Sequence, residues 1–335
     1  MLGLPSCRRA DSKMDRRTFI GQLAVSLLAV ALPARAQQSA EVRRIGILTA
    51  GRVASDWPLF AALRERGWIE GENLTIERRG AGGKADLVPS YAEELVQLKL
   101  DVIVATGAVA AVAAKNATAT IPLVTFTADP VLMGLVPSMS RPGGNITGAS
   151  TVSTELATKR LELLRELRPT AKRVGELVDP ANPYFARIRN DYEKIYRALG
   201  MEPIFVDVAD ATQIERAFAE LARLRADALI VRSDPLFTAN RDQISRLALD
   251  HALPTMAEGE VFVSAGCLAS YASSWTATGR TLAVLVDKIL RGAKPGDLPI
   301  EQPTKYDFII NLRTAKALSV TISPSLRQRV DDVIQ

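Results

Sequence analysis

The sequence is poor in the residues that do chemistry. Of 335 residues only His251 is a histidine, which excludes zinc sites built on a histidine pair and any relay that needs two imidazoles. His251 closes a helical run ahead of Pro254 and reads as a solvated helix-end residue. Cysteine is as scarce: Cys7 lies near the start, and Cys267 is alone in the chain beyond it. The body therefore has no disulfide framework, and Gly266-Cys267-Leu268-Ala269 is an apolar setting for an inert buried thiol. Neither the Gly-x-x-x-x-Gly-Lys-Ser/Thr phosphate loop nor the Gly-x-Ser-x-Gly nucleophile elbow occurs. The run Thr49-Ala50-Gly51-Arg52-Val53-Ala54, which follows the first apolar segment, lacks the glycine spacing that cradles a pyrophosphate. Trp57, Trp68 and Trp275 stand too far apart in sequence to suggest a stacking surface for single-stranded nucleic acid. No cofactor, no metal ion and no enzymatic activity is expected.

Charge is unevenly spread. The formal net charge is +5, but residues 1–36 hold six Lys or Arg against two Asp, a surplus of four that leaves +1 for the rest. A body so near neutrality has no electrostatic reason to bind nucleic acid. The basic start has its own explanation. Met14-Asp15-Arg16-Arg17-Thr18-Phe19-Ile20 precedes an apolar run over residues 23–32, and Ala34-Arg35-Ala36 offers small residues for a signal peptidase. That run is well short of the roughly 20 residues that cross a bilayer, so the leader reads as a removable export signal rather than a span. Its paired arginines resemble the twin-arginine signal, with a general secretory signal as the alternative. Met14 is a candidate true start. The expected product is soluble and periplasmic after cleavage near Ala36, with no stable membrane insertion.

What the chain does have is alternation. At 335 residues it exceeds the roughly 250 to 300 at which single cores stop growing, so two domains are expected. Apolar runs closed by small residues at 43–50, 101–107 and 122–128, with a further strand at 74–78, read as buried parallel strands. Helical spacing separates them at 56–66, 87–98 and 108–119, and Asp129-Pro130 is expected to open another helix. The second half repeats the plan, with helices at 156–167, 184–199 and 214–224, another containing 244–249, and strands at 173–178, 203–208 and 228–231. Such alternation requires crossover connections and parallel sheets covered on both faces. The expected fold class is α/β, with two doubly wound parallel-sheet lobes. A helix at 276–290, an extended Pro/Gly-rich link at 292–299, a strand at 306–312 and short helices at 314–318 and 325–330 close the chain.

Between the halves lies Ser140-Arg141-Pro142-Gly143-Gly144-Asn145-Ile146-Thr147-Gly148-Ala149-Ser150. Pro142 and the glycines resist a continuous regular element. The segment reads either as a connection between lobes or as an ordinary surface turn. Three junctions, Ala128-Asp129-Pro130, Val178-Asp179-Pro180 and Ser233-Asp234-Pro235, place Asp-Pro where a strand gives way to a helix. Asp caps helices and Pro suits the first helical position, which accounts for the prolines. The aspartates also stand at strand carboxyl ends, where open α/β sheets bind ligands.

Residues 98–104, 140–148, Asp179-Pro180-Ala181-Asn182-Pro183, 286–295 and 298–306 together resemble the ABC transporter substrate-binding proteins of the type I periplasmic-binding fold, a family that includes tryptophan- and tyrosine-binding proteins. The resemblance covers the chain from Arg43 onward. It implies two lobes, residues 42–148 plus about 276–298 and residues 149–272 plus about 299–335. They would be joined by crossings near 145–150, 271–276 and 299–304, with Asn145, Thr147, Gly148 and Tyr271 as hinge residues. It implies ligand contacts from Thr49, Ala50, Thr106, Gly107, Thr127, Ala128 and Asp129 in one lobe and from Asp179, Asn182, Ser233, Asp234 and Glu258 in the other. Asp179 stands where relatives commonly have Asn, and Ala128 and Ala272 where Gly is usual. The expected function is capture of a small polar ligand, an amino acid or related zwitterion, for an ABC permease and its ATPase. A sensing module for a membrane kinase, or a nucleoside-like or aromatic solute, are the alternatives.

Overall fold

The computed structural model describes residues 42–151 and 153–335; the export signal read in residues 1–36 lies outside the described residues. The chain runs β1 (Arg43–Thr49), α1 (Pro58–Glu65), β2 (Leu74–Gly80), α2 (Val88–Gln97), β3 (Val102–Thr106), α3 (Ala108–Ala117), β4 (Leu123–Thr127) and β5 (Ile146–Ser150). It continues through α4 (Ser153–Leu167), β6 (Arg173–Val178), α5 (Pro183–Ala198), β7 (Glu202–Asp207), α6 (Ile214–Arg223), β8 (Ala228–Val231), α7 (Pro235–Ala239), α8 (Arg241–Asp250), β9 (Thr255–Ala257), α9 (Glu260–Ser264) and β10 (Ala269–Ser273). It ends with α10 (Trp275–Leu290), β11 (Tyr306–Asn311), α11 (Leu312–Ala317), α12 (Pro324–Arg327) and β12 (Asp332–Ile334).

Apolar runs explain the strands. Ile45, Ile47 and Leu48 in β1 and all four residues of β8 are buried, as expected for strands covered on both faces. Two sheets result. The first has the order β2-β1-β3-β4-β5 and is wholly parallel. The second has the order β12-β11-β10-β9-β8-β6-β7. It is parallel except at β10 and β11, which run antiparallel with Tyr271 opposite Phe308.

The chain passes between the sheets three times. It leaves the first after β5, returns from β10 into α10, which packs on α1, β3, β4 and β5, and crosses again before β11. The crossings are tied together. Ser150 N donates to Glu301 O (2.9 Å), Glu301 N to Gly148 O (2.9 Å), and Ser274 N to Lys305 O (3.0 Å). Asn145, Thr147 and Gly148 sit in β5 or at its entry. Asn145 Nδ2 donates to Ile121 O (2.8 Å) and Thr147 Oγ1 to Leu298 O (2.8 Å). A Cβ at Gly148 would lie 1.9 Å from Thr125 O, so only glycine allows β5 this close to β4. Residues 146–150 are thus a buried strand of the first sheet.

Three expectations need correction. No helix follows Asp129-Pro130; residues 130–134 form turns. Gly134 takes φ 68°, and Leu135 N bonds back to Pro130 O (2.8 Å), so the segment stops after one turn. Asp179-Pro180 does not start α5 either. The helix begins at Pro183 with Asn182 as its cap, accepting from Tyr184 N (3.0 Å); of the three aspartates only Asp234 caps a helix, α7. The link at 292–299 is not fully extended, because Pro295–Asp297 forms a 3-10 turn. The short elements β9, α9, β10 and the edge strand β12 were not expected, whereas β11 stands where a strand is expected at 306–312 and runs antiparallel to β10.

Candidate ligand-binding cleft

In an open α/β sheet the crevice forms where strand order reverses, at the strands' carboxyl ends. In the first sheet the chain moves from β1 outward to β2 and then to the other side at β3; in the second it moves from β6 outward to β7 and then to β8. The reversal points are therefore β1/β3 and β6/β8. Thr49 and Thr106 are the last paired residues at the first; Asp179 and Arg232-Ser233-Asp234 follow the strands at the second. The two carboxyl edges face each other and touch. Arg187 Nη1 of α5 donates to Leu132 O (3.2 Å), Gly51 approaches Pro235, and a Cβ at Gly83 would lie 3.4 Å from Ala239 Cβ.

On the first lobe, Thr49 Oγ1 accepts from Gly51 N (3.1 Å), and Ala50 O accepts from Gly83 N (2.7 Å). Gly107, at φ 87°, is the N-cap of the ten-residue α3 and leaves its first turn without a side-chain cap. Such an end is able to hold a carboxylate. Thr127 closes β4, and its buried Oγ1 has no partner among the described residues. Ala128 O accepts from Ser150 Oγ (2.6 Å). Asp129 is turned to its own backbone, its Oδ1 accepting from Val131 N (3.0 Å) and Leu132 N (2.9 Å).

On the second lobe, Asp179, Asn182 and Asp234 come together. Asn182 Nδ2 donates to Asp234 Oδ2 (2.9 Å), while Asp234 Oδ1 accepts from Leu236 N (2.9 Å) and Asp179 Oδ1 from Ala181 N (2.8 Å). Both carboxyl groups are buried. Burial pushes Asp234 up to about 6, with the Asn182 hydrogen bond opposing and the Asp179 charge adding. Burial likewise raises Asp179, against the Ala181 amide. Among the described residues neither forms an ion pair. Ser233 is exposed, and its N–H donates to Glu258 Oε2 (3.2 Å). Glu258 gives its other oxygen to Arg160 Nη1 (2.7 Å). Burial would raise Glu258, but Arg160 and Arg232 outweigh it and hold the carboxyl below its usual range.

Other features escape sequence reasoning. Arg232 is buried, bonded to Glu176 (2.5 Å) and held over the rings of Phe185 (5.0 Å) and Tyr192 (4.7 Å). Tyr196 Oη donates to the same Glu176 (2.6 Å). Trp57 and Trp275, 218 positions apart, stack at 5.8 Å and 19°, so the tryptophans that looked scattered in sequence form an aromatic pair, with Trp57 buried and Trp275 exposed. No local signal in the sequence joins them. Cys267 is buried against Ser245, and burial raises its thiol.

Two parallel-dominated α/β sheets, three passages of the chain between them and a strand-order reversal at the carboxyl edge of each define a two-lobed α/β binding fold. The chain belongs to the ABC transporter substrate-binding protein family, whose sequence profile matches residues 54–334. It is 30% identical over 271 residues to a tyrosine-binding protein of Clostridioides difficile (strain R20291), covering 77% of this chain and 74% of that one. Its fold is similar to that of a conserved domain protein from Vibrio cholerae (TM-score 0.82, 24% identity, 87% of this chain and 99% of that one). It is also similar to a Streptococcus pneumoniae ABC domain in complex with L-Trp (TM-score 0.79, 23% identity, 87% and 99%). The ligand-free, open structure of a substrate-binding protein with adhesive properties from Clostridium difficile matches at a TM-score of 0.61, 26% identity, 88% and 100%. The family's role is substrate binding. Among the described residues no helix is long and apolar enough to cross a membrane.

Proposed function

We propose that this chain is an exported, periplasmic receptor that captures an amino acid or a related zwitterion between its lobes and delivers it to an ABC permease and its ATPase. One observation carries the reading: Asp179 and Asp234 are two buried carboxyl groups without a cationic partner among the described residues, side by side at the second lobe's reversal point. A buried carboxylate needs a compensating charge, and a ligand ammonium supplies one. The uncapped start of α3 and the Thr127 hydroxyl offer donors for the ligand carboxylate on the other lobe. Thr49, Ala50, Thr106, Gly107 and Ala128 would line that side, and Asn182 and Ser233 the other. Asp129 and Glu258 would contribute by holding their loops. Closure would rotate the lobes about the three crossings, with 145–150, 271–276 and 299–304 as their surroundings.

The names of the tyrosine-binding relative and of the L-Trp complex support an amino-acid ligand. The second acid at Asp179 favours a ligand with a stronger or second positive charge. Calorimetric titration of the mature protein against a panel of aromatic, aliphatic and basic amino acids and organic acids tests the proposal. Micromolar or tighter binding of an amino acid is the expected result; a panel without heat would refute it.

A further inference from the structure

One buried guanidinium joins the crossings to the ligand loop. Arg160 lies on α4, the first helix after the chain leaves β5, and its side chain is 6% exposed. Its Nε donates to Tyr271 O (2.8 Å) and its Nη1 to Glu258 Oε1 (2.7 Å). Tyr271 is in β10, just before the second crossing. The pairing of β9 with β10 ends at Ala257 opposite Ser270, so Arg160 reaches the first position beyond that ladder. Glu258 lies directly after β9, and its other oxygen accepts the Ser233 amide. Ser233 adjoins Asp234. Three segments far apart in sequence therefore meet at one planar cation, whose fork offers several donors in fixed directions.

A cavity of about 10 Å³, room for about one water, is lined by Ala157, Arg160, Leu161, Tyr192, Ile230 and Glu258 among others. The other buried pair of this lobe, Arg232 with Glu176, packs against the adjoining rings of Phe185 and Tyr192.

We propose that Arg160 is a positioning residue for ligand binding: through Glu258 it fixes the Ser233–Asp234 loop in register with the second crossing, so that a change at the crossing is felt by the loop. Its effect on affinity rests on the function proposed above; the mechanical link does not. A lysine keeps the charge but reaches Tyr271 O or Glu258, not both.

Amide hydrogen exchange on the ligand-free mature protein tests the link whatever the ligand is. Arg160→Met and Glu258→Gln should each lower protection of the Ser233 amide about tenfold or more, and the double variant should do no worse than either alone. Protection of residues 102–106 in the first sheet should be unchanged. Arg160→Lys, which preserves the buried charge, should fold and lower Ser233 protection several-fold. A loss of protection spread evenly over both sheets, additive effects in the double variant, or an unaltered Ser233 amide in Arg160→Lys would overturn the proposal. Should Arg160→Met not fold, the lysine and Glu258→Gln variants decide the matter. In a second arm, titration with L-tyrosine and L-tryptophan should show about a tenfold weaker Kd for Arg160→Lys. If the unaltered protein binds neither probe, the choice of probe and the receptor reading are at fault, and the exchange arm still decides the link.

Discussion

Asp234→Asn removes one charge from the cleft, and its consequence has an unusual sign. Burial raises the Asp234 carboxyl from an ordinary 3.8 to about 6. Below 3.8 the group is protonated in folded and unfolded chains alike and contributes nothing to a pH dependence. Between 3.8 and about 6 the unfolded chain loses the proton while the folded chain keeps it, so stability falls as pH rises through this window and is flat above it. This is opposite to a carboxylate held in an ion pair. At 1.36 kcal/mol per pH unit the full drop is about 3 kcal/mol. An asparagine has no such drop. It does lose a hydrogen bond, because Leu236 N and Asn182 Nδ2 donate to different oxygens and an asparagine replaces one of these by a donating NH2 group, at a pH-independent cost of about 1 kcal/mol.

Urea unfolding of both proteins from pH 4 to 8 is the assay. At pH 4 the variant should be less stable by about 1 kcal/mol, and by pH 7 more stable by about 2 kcal/mol. Asp179 and Glu176, also raised by burial, tilt both curves in the same direction and largely cancel in the difference. Ligand binding should show the mirror image. An ammonium beside Asp234 favours the ionised form, so affinity for a cationic ligand should rise with pH up to about 6, with proton release on binding below it, and Asp234→Asn should abolish this rise. Parallel stability curves for the two proteins would refute the assignment of an unpaired, buried carboxyl at this position.

Gly83→Trp should prop the lobes apart, because a Cβ there already meets Ala239 Cβ at 3.4 Å and Leu236 Cα at 3.6 Å. Small-angle scattering should report a larger radius of gyration, and ligand affinity should fall at least tenfold. Gly82→Trp is the control: its φ is also positive, 61° against 97° at Gly83, with nothing within 4 Å, and it should change neither. Thr127→Val replaces an unpartnered buried hydroxyl by a methyl. Thermal unfolding of the ligand-free protein should show unchanged or slightly increased stability, by up to about 1 kcal/mol, whereas calorimetry should show weaker ligand binding; a loss of ligand-free stability would mean the hydroxyl has a structural partner.

Local chemistry made much of this fold legible. Four buried apolar residues in β8 and the apolar stretch of β1 announce themselves in any reading, and Gly67, at φ 88°, ends α1 where a C-terminal glycine should. The same dipeptide then had three outcomes. Asp234-Pro235 opens α7, Asp179-Pro180 yields to the cap at Asn182, and Asp129-Pro130 is cut off by Gly134. Each outcome depends on residues three to five positions further on and on what the segment packs against, not on the dipeptide. Strand direction is less local still: nothing within Tyr306–Asn311 says that it runs against β10. The stacked pair of Trp57 and Trp275 and the triangle of Arg160, Tyr271 and Glu258 exist only because three crossings fold distant segments onto one another. To the sequence, Arg160 is one more arginine on an amphipathic helix.

The acids of the second lobe show how structure separates roles that composition leaves equal. Glu176, Asp179, Asp234 and Glu258 all follow or lie in apolar strands near one carboxyl edge, and burial acts to raise each of them. Two are answered from within the lobe: Glu176 by Arg232 and Tyr196, Glu258 by Arg160 and the Ser233 amide. Among the described residues the other two accept hydrogen bonds only from neutral donors, the amides of Ala181, Leu236 and Asn182, and the charge of Arg232 acts on Asp234 less than burial does. A neutral donor orients a carboxylate but does not cancel its charge, so the desolvation cost is left largely uncompensated. On the proposed function, a lobe that pairs two buried acids and, among the described residues, leaves two without an ion pair at its strand-reversal point would take its missing charge from the ligand. That asymmetry, rather than the presence of acids as such, is the physical ground for expecting a cationic group in the ligand.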